Sequence, residues 1–305
     1  MTGYIVRRIL WLIPVLLVVS LITFVLMHNT PGGPWAREKR LPQSTVEALN
    51  RAYNLDKPVW EQYLIYVWNA SHGDLGPSFK YIGRNVSEII AQGLPVTAHL
   101  GLMALAIALV VGLPLGVAAA IRQNSIVDYA SMFFAIIGVC TPSFILGILL
   151  MVVFATTLHL FPTAGWESPL HWVLPTITLA AYPAAQIARY TRASMLEVIR
   201  QDYIRTARAK GLAERAVITG HMIRNALIPV VTILGPITAF LVTGSFIIEY
   251  LFAVPGIGRL YVQAIGQRDY SMIMGTTLLY AFVVVIMNII VDILYVFIDP
   301  RIRYK

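Results

Sequence analysis

The sequence predicts an all-α polytopic membrane protein with six transmembrane helices and a helical extracytoplasmic cap between helices 1 and 2. Hydrophobic residues make up 58% of the chain and charged residues only 12%, whereas soluble domains contain about 25% charged residues. Apolar stretches long enough to cross a bilayer recur along the 305 residues. Basic residues collect in alternate segments between those stretches, as they do on the cytoplasmic side of membrane proteins.

The net charge of +8 has two explanations. Nucleic-acid binding is the less favoured one, because positive charge collects on the cytoplasmic loops of membrane proteins and sets their orientation. We therefore expect a lipid bilayer and no nucleic acid around this chain. The single cysteine, Cys140, lies in an apolar stretch and cannot form a disulfide within the chain.

Residues 1–28 are expected to form the N-terminal segment and the first transmembrane helix. Arg7 and Arg8 precede nineteen uncharged residues, from Ile9 to Met27, which span about 28 Å as a helix. A cleaved signal peptide is the alternative, but its apolar core is only about 7–15 residues long. We predict a retained helix with its N-terminus inside.

Residues 29–94 are polar, with seven basic and six acidic residues, and are predicted to form the extracytoplasmic cap. The spacing Ser44-x-x-Glu47 is typical of a capping box that begins a helix. Asp56 with Pro58 indicates a second helix start. Tyr and Trp favour the headgroup level of membranes, so we expect this cap to lie on the outer membrane surface. The apolar face of its second helix comprises Trp60, Tyr63, Leu64, Val67 and Trp68.

Residues 95–305 are predicted to form a five-helix transmembrane core. Gly112 and Gly116 of the second span have a GxxxG spacing, which permits close approach of another helix. Pro114 adds a predicted kink, and Pro142 lies near the middle of the third span. The five predicted spans are 95–121, 132–158, 172–188, 228–248 and 272–298.

The fourth span is the least apolar, and Pro175 and Pro183 are expected to break its helix. Polar side chains combined with helix breaks favour a helix that faces protein or a water-filled path rather than lipid. A kinked scaffold helix whose hydroxyls bond to its own backbone explains the same pattern equally well. The candidate translocation-path residues are Thr176, Thr178, Tyr182 and Gln186.

The distribution of positive charge predicts the topology. The four segments expected inside hold 14 basic residues, and the two short loops expected outside hold only Arg259 and Arg268. Because cytoplasmic loops are enriched in Lys and Arg, this asymmetry predicts that both termini lie in the cytoplasm.

Sequence motifs for catalysis, nucleotide binding and metal binding are absent. The chain has no G-x-x-x-x-G-K-[ST] phosphate loop, no H-E-x-x-H and no C-x-x-C. His159 and His171 flank one predicted outer loop and could meet at a metal ion, but two surface histidines explain them better. We therefore predict no catalytic residue, no metal site and no cofactor bound by this chain.

A basic island, residues 202–229, separates the fourth and fifth spans. The helix-compatible run Tyr203 to Lys210 ends at Gly211, where a backbone without Cβ can turn or be approached closely. Eight of the 23 Lys and Arg residues lie in or just before this island: Arg189, Arg192, Arg200, Arg205, Arg208, Lys210, Arg215 and Arg224.

The basic island resembles the cytoplasmic signature of the membrane subunits of binding-protein-dependent ABC importers. Of the general signature, which has Glu-Ala-Ala, three residues and Gly, this chain keeps Ala207 and Gly211. Its departures resemble the peptide and nickel branch of that family, with the form R-T-A-[RK]-A-K-G-L followed by H-x-x-[RK]-x-A-L-x-P. That form matches Arg205 to Leu212, then His221, Arg224 to Leu227 and Pro229.

The resemblance extends over nearly the whole chain. Gly76-Pro-Ser-Phe-Lys80 and Leu41-Pro42 are most similar to the first, B-type membrane subunit of oligopeptide permeases. Further motifs of the branch are Tyr4–Arg8, Pro31–Pro34, Pro255–Arg259, Arg268–Tyr270 and Asp299–Tyr304.

The resemblance implies a type I ABC importer fold in the bacterial inner membrane. Residues 189–228 would then be a cytoplasmic coupling loop that docks an ATPase subunit, with charge-assisted bonds from its basic side chains. The ATPase-coupling residues implied are Tyr203, Arg205, Thr206, Ala207, Arg208, Lys210, Gly211, Leu212, His221 and Arg224.

The resemblance also implies partners. Two cytoplasmic ATPase subunits would bind ATP and Mg²⁺, an extracytoplasmic binding protein would deliver an oligopeptide, and a related C-type permease would complete a heterodimer. Import of dipeptides, glutathione or nickel chelates by the same machinery is the alternative within the family. An ion-coupled secondary transporter is the alternative from another class, and the scarcity of buried charges and of inverted repeats disfavours it.

Overall fold

The computed structural model describes residues 2–35 and 42–298. Within those ranges the chain forms α-helices and two π-helical segments, Met151–Thr157 and Val217–Met222, and no β-strand. The helices are α1 Thr2–Asn29, α2 Gln43–Ala52, α3 Val59–Ser71, α4 Val86–Ile121, α5 Ile126–Cys140, α6 Ser143–Leu150, α7 Pro169–Ile199, α8 Asp202–Ala209, α9 Glu214–Ala216, α10 Ile223–Thr243, α11 Phe246–Leu251, α12 Ile257–Gln267 and α13 Tyr270–Ile298.

The helices confirm the prediction of an all-α polytopic membrane protein. Among the described residues, four stretches are long and apolar enough to cross a membrane, and α5 with α6 adds a fifth if this bent pair is one span. α7 has 31 residues but is less apolar, as the fourth predicted span is. Six crossings therefore require both the bent pair and α7. The four stretches are Leu10–Asn29, Val86–Ile121, Glu214–Leu251 and Tyr270–Ile290.

The third predicted span is a pair of helices rather than one continuous helix. α5 ends at Cys140, α6 begins at Ser143, and the two are bent by 107° relative to each other. Thr141 has an extended backbone, with φ −83° and ψ 120°, because the α conformation is disfavoured for a residue before proline. Pro142 is the N-cap of α6, so the chain turns sharply near the middle of the predicted span.

The chain divides into two compact units. The first contains residues 1–97 and 255–285, and the second contains residues 98–254 and 286–305. The expected boundary between cap and core, after residue 94, lies inside α4. The predicted outer loop after the fifth span contains α12, a helix that the sequence pattern did not indicate, and α12 belongs to the first unit.

Glycines bring α4 and α7 together in the second unit. A Cβ on Gly112 would lie 2.6 Å from the carbonyl oxygen of Ala184, and a Cβ on Gly116 would lie 2.5 Å from that of Ala188. No side chain fits at such distances, so the two helices pack backbone to backbone along the GxxxG spacing. The close approach predicted from this spacing is thereby confirmed.

The cap helices of the first unit begin at prolines. α2 has Pro42 as its N-cap and no side-chain capping bond, so the capping box predicted at Ser44 is wrong. α3 has Pro58 as its N-cap, two residues after the expected Asp56. Proline suits these positions because its ring fixes φ near −65°, and the observed values are −56° and −55°.

α3 runs antiparallel beside α1. Near the start of α3, the Gln62 side-chain oxygen lies 3.1 Å from Nε2 of His28, at the end of α1. Near the end of α3, Ala70 lines a cavity together with Ile13. α3 thus packs along the helix that contains the apolar stretch Leu10–Asn29.

Three segments far apart in the sequence meet in the first unit. The guanidinium of Arg268 donates to the carbonyl oxygen of Pro31 at 2.8 Å. The carboxylate of Asp269 accepts from the Ser78 hydroxyl and from the backbone N–H of Met272 in the first turn of α13. The cap motifs are thus held together by bonds from the loop that precedes α13.

Candidate functional site

The basic island begins with a short amphipathic helix, α8, that buries two of its eight side chains, Ile204 and Ala207. Full burial of an isoleucine stabilises by about 2 kcal/mol. These two side chains pack in one buried cluster with residues at the ends of α4, α7 and α10. A displacement of α8 would therefore disturb its packing against all three helices. The other members of the buried cluster are Ala120, Met195, Val217, Met222 and Ala226.

A Schellman motif ends α8 at Gly211. The N–H of Gly211 donates to the carbonyl of Arg208 at 2.9 Å, and the N–H of Leu212 donates to that of Ala207 at 3.4 Å. Gly211 has a φ of +76°, which L side chains rarely adopt, and there is open space where its Cβ would be. The turn alone therefore favours glycine, and the open space leaves room for another chain to approach.

The basic side chains of α8 differ in how they are held. Arg208 donates to both carboxylate oxygens of Glu214, at 3.1 Å from Nε and 2.6 Å from Nη2. This hydrogen bond raises the pKa of Arg208 and ties α8 to α9. Arg205 makes a longer contact of 3.6 Å with Asp202, and 75% of its side chain is exposed. Arg205 thus presents its charge to solvent, whereas Arg208 is held within the island.

The remaining predicted coupling residues are exposed, except for Ala207. Tyr203 is 42% exposed and Leu212 is 44% exposed, so apolar groups lie among the basic ones. Tyrosine and arginine side chains are typical of the anchor residues of protein interfaces. Ala207 is buried and packs in the same cluster as residues of α4, α7 and α10. The other exposed members are Thr206, Lys210, His221 and Arg224.

A buried ion pair that the sequence did not reveal joins α5 to α7. Arg192 donates from Nε to Oδ1 of Asp128 at 2.6 Å and from Nη2 to Oδ2 at 2.7 Å. Asp128 is 1% exposed and also accepts from the backbone N–H of Asn124 at 3.0 Å. Since α7 continues almost to α8, this pair links the segment that carries α8 to the start of α5. The partners are 64 residues apart, so no local pattern indicates their pairing.

The continuity of α7 and the bonding of Thr178 fit the scaffold interpretation. α7 is one continuous helix with Pro175 and Pro183 inside it, so the break predicted from these prolines does not occur. The buried Thr178 hydroxyl donates to the carbonyl of Leu174, one turn earlier, at 2.7 Å. A hydroxyl bonded in this way satisfies its own helix and needs no water-filled path. The hydroxyl of Thr176 is also buried but has no hydrogen-bond partner among the described residues, so it does not share this explanation.

The other two predicted path residues line a cavity. Tyr182 and Gln186 lie one turn apart on α7, and the Gln186 amide donates to the Tyr182 hydroxyl. Both face a cavity of about 390 Å³ together with Thr232, Pro236 and Phe240 of α10. The structure therefore separates the four candidate residues into a buried pair and a cavity-lining pair.

The predicted outer-loop histidines have local partners. His171 lies 2.9 Å from the Ser168 hydroxyl and 3.1 Å from the Glu167 carboxylate. His159 lies 3.2 Å from the Thr157 carbonyl. No group of three or more His, Cys, Asp or Glu side chains in residues 2–35 and 42–298 could hold a metal ion. Leu41 and the motif 299–304 lie outside the described residues.

Family comparisons match most of the chain. Residues 112–304 match the family described as "Binding-protein-dependent transport system inner membrane component". Residues 1–101 match the family described as "Binding-prot-dependent transport system membrane comp, N-term". Together the two matches include α8, the buried ion pair and the cavity beside Tyr182.

Curated relatives match over the full length. The chain is 46% identical over 303 residues to the dipeptide transport system permease protein DppB of Bacillus subtilis, covering 99% of this chain and 98% of the relative. It is 41% identical over 306 residues to the oligopeptide transport system permease protein OppB of Haemophilus influenzae, covering 100% of both.

Two solved structures have a similar fold. The MetNI methionine ABC transporter in inward-facing conformations aligns with a TM-score of 0.57 at 21% identity, covering 69% of this chain and 96% of that one. An amino acid ABC transporter crystallised with histidines aligns with a TM-score of 0.55 at 15% identity, covering 68% and 94%. At such identities the alignments show the shared fold alone.

Proposed function

Because the chain belongs to the family of binding-protein-dependent transport system inner membrane components, we propose that it is a B-type permease subunit of an ATP-driven importer of oligopeptides. Relatives at 41–46% identity over their full lengths are named as dipeptide and oligopeptide permeases, which supports peptides as the substrate class. Dipeptides are the alternative within that class, since both kinds of relative match over the whole chain.

The coupling role rests on one observation, the exposure of α8. This helix is anchored by Ile204 and Ala207 and leaves its remaining side chains in solvent. We propose that two cytoplasmic ATPase subunits bind ATP and Mg²⁺ and that one of them docks on this face. Their closure would move α8 as a rigid body together with the ends of α4, α7 and α10, and this movement would switch access to the path. In this proposal the chain itself supplies no ATPase site and binds no cofactor.

The proposed assembly contains two further partners. A related C-type permease would pair with this chain in the bacterial inner membrane, with both termini of this chain in the cytoplasm. An extracytoplasmic binding protein would deliver the peptide. The broad range of peptide side chains favours a wide path with little selectivity of its own, so that the binding protein sets the affinity.

The proposed path runs past the cavity beside Tyr182 and Gln186. Cysteine substitution along α7 tests this proposal, after the exposed native Cys140 has been replaced by serine. In the assembled importer, cysteines at positions 182 and 186 should react with a water-soluble maleimide, and cysteines at the buried positions 176 and 178 should not. If all four cysteines were equally unreactive toward the maleimide, the proposed path would not run along this face of α7.

Charge reversal on α8 tests docking against simple positive charge. Arg205→Glu changes an exposed cation on the proposed docking face. Arg215→Glu makes the same change in charge on the neighbouring α9, also at an exposed position. We expect only the first variant to lose co-purified ATPase subunits and peptide uptake. An equal loss in both variants would mean that the island needs its net charge rather than a specific face.

A further inference from the structure

The ion pair of Asp128 and Arg192 holds more than two helices together. Its carboxylate lies in the first turn of α5 and accepts from the guanidinium on α7 at 2.6 and 2.7 Å. The same carboxylate accepts from the backbone N–H of Asn124 at 3.0 Å, in the turn that joins α4 to α5. One buried side chain therefore fixes this turn, the start of α5 and the second half of α7 in a single arrangement.

Both partners of Asp128 lie close in sequence to the buried cluster that anchors α8. Arg192 is three residues before Met195, and Asn124 is four residues after Ala120. Met195 and Ala120 are members of that cluster, and residues three apart in a helix lie on neighbouring positions of one face. α5 is thus attached to the same ends of α4 and α7 that hold α8.

Near its other end, the contact between α5 and α7 is built from small residues. A Cβ on Gly138 would lie 3.0 Å from the Cβ of Ala185 and 3.1 Å from the carbonyl oxygen of Ala181. Small residues let two helix backbones approach closely, but they provide no large side chain that interlocks with the partner helix.

The ion pair supplies the directional contact between these two helices. Between residues 126–140 and 169–199, both fully described, the only hydrogen bonds are those from Arg192 to Asp128. A buried polar contact of this kind is best attested as a device that fixes the register of packed helices. The pair therefore limits how far α5 can slide or turn on α7.

α5 and α6 extend from the region of α8 to the opposite end of α10. α10 begins beside the α8 cluster, to which its Ala226 belongs, and α11 follows its far end. α6 packs against α11, because a Cβ on Gly147 of α6 would lie 2.8 Å from the side chain of Leu251 and 3.3 Å from that of Phe252. A shift of α5 on α7 would therefore change the position of α6 against α11.

We propose that Asp128 and Arg192 are positioning residues that keep the α5–α6 pair in register with α7 when α8 is displaced. With the bond in place, α5, α6 and α7 move as one piece, and the displacement of α8 reaches α11. Without it, α5 slips on α7, so that ATP is hydrolysed while fewer peptides are moved per ATP. This inference rests on the proposed docking of ATPase subunits on α8, and it gives the pair a role in coupling besides its role in stability.

The number of peptides transported per ATP measures this role separately from stability. The complete importer is reconstituted in liposomes with its binding protein and an oligopeptide, and peptide uptake and ATP hydrolysis are measured on the same sample. The main variant is Asp128→Asn with Arg192→Met. It buries no charge, keeps an acceptor for the Asn124 N–H and fills the space of the arginine stem. We expect it to retain ATP hydrolysis but to transport at least about 10-fold fewer peptides per ATP, the value of a hydrogen bond to a charged group.

Arg192→Lys separates geometry from charge. Lysine keeps a positive charge beside Asp128 but lacks the planar fork that bonds both carboxylate oxygens. Its unfolding midpoint should stay nearer to wild type than that of Arg192→Gln, while peptides per ATP should fall by about 2- to 10-fold. The control is Arg122→Met, which removes an exposed arginine from the α4–α5 turn and should leave the number of peptides per ATP unchanged.

A wild-type number of peptides per ATP in both test variants would overturn the proposal. A parallel loss of uptake and hydrolysis at a constant ratio would also overturn it, because a merely structural pair predicts that result. If the double variant does not assemble, Arg192→Lys decides between these outcomes. A wild-type importer that takes up peptide without ATPase subunits would refute the proposed function instead, so the two failures are distinguishable.

Discussion

The buried ion pair between Asp128 and Arg192 predicts an unequal response to the loss of its two partners. Replacing Arg192 with glutamine leaves a carboxylate that is 1% exposed without its cation, and breaking a buried pair in this way costs about 3–5 kcal/mol. Replacing Asp128 with asparagine leaves a guanidinium on a side chain that is 27% exposed. Water can reach that guanidinium, so we expect a cost of about 1.5–3 kcal/mol for the lost charged hydrogen bonds.

Thermal unfolding of the detergent-purified chain measures this difference. For a chain of this size about 1 kcal/mol shifts the midpoint by roughly 2–4 °C, so Arg192→Gln should lower it by roughly 6–20 °C and Asp128→Asn by about half as much. Arg189→Gln, at an exposed position of the same helix, should leave it within about 2 °C. The double variant Asp128→Asn with Arg192→Gln should be more stable than Arg192→Gln alone, because no charge is left buried.

The ranking of the variants decides the matter. Equal unfolding midpoints for the two single variants would mean that the partial exposure of Arg192 does not reduce the destabilisation caused by removing the Asp128 carboxylate. Strict additivity in the double variant would mean that the two side chains do not interact, since residues in one ion pair couple by about 0.5–3 kcal/mol. Either result would refute the reasoning from burial.

Three further predictions concern the fold. Gly116→Ala should destabilise the chain by about 1–3 kcal/mol, because the added Cβ would overlap the backbone of α7. The measurement is a lower midpoint of thermal unfolding. The control variant Gly220→Ala should leave the midpoint unchanged, because no atom lies within 4 Å of the added Cβ. Gly211→Asn should retain more peptide uptake and intact α8 than Gly211→Val, because asparagine tolerates the positive φ; equal loss would assign the requirement to close approach instead of the turn. The Asn85 side chain and then the Gly76 N–H lower the pKa of Asp74, so their contribution is present above the unfolded pKa of about 3.9 and is lost as pH falls through the folded value. The difference in cap stability between wild type and Asn85→Ala, measured by hydrogen exchange, should therefore shrink below about pH 4, and a difference that grew with acid would contradict this sign.

Local patterns predicted the membrane spans because hydrophobic length is a property of neighbouring residues. The apolar runs gave α1, α4, α10 and α13, and the GxxxG spacing gave the contact between α4 and α7. Gly211 was expected to end the helix of the basic island, and it does so with a positive φ. In each case the local backbone conformation or the hydrophobic environment of that residue requires the residue type.

Geometry that depends on distant residues could not be predicted. The sequence marks Pro142, but whether a proline kinks one helix or turns the chain by 107° depends on what packs on either side. The ion pair of Asp128 and Arg192 joins positions 64 residues apart. The sequence likewise indicated that Arg208 is available for docking. In the structure the turn at Gly211 brings Glu214 beside Arg208, and the two form an ion pair.

The position of α3 shows the limit of composition as a guide. Its aromatic residues indicate an interface, and Trp60 and Trp68 are indeed exposed. Other residues of the same helix bond and pack along α1, however, through Gln62 and Tyr63. Composition alone does not distinguish a helix that packs along another helix from one that lies flat on a surface.

Site-specific photocrosslinking at Tyr203 tests the proposed docking of α8 most directly. A benzophenone amino acid at this exposed position should link the chain to an ATPase subunit in native membranes. The same amino acid at Tyr250, which is also exposed but lies at the opposite end of the fifth predicted span, should not. A crosslink from Tyr203 to the ATPase that changes in yield with ATP would support α8 as the coupling surface. Crosslinks from Tyr203 only to this chain or to lipid, in membranes where the importer is assembled, would contradict it.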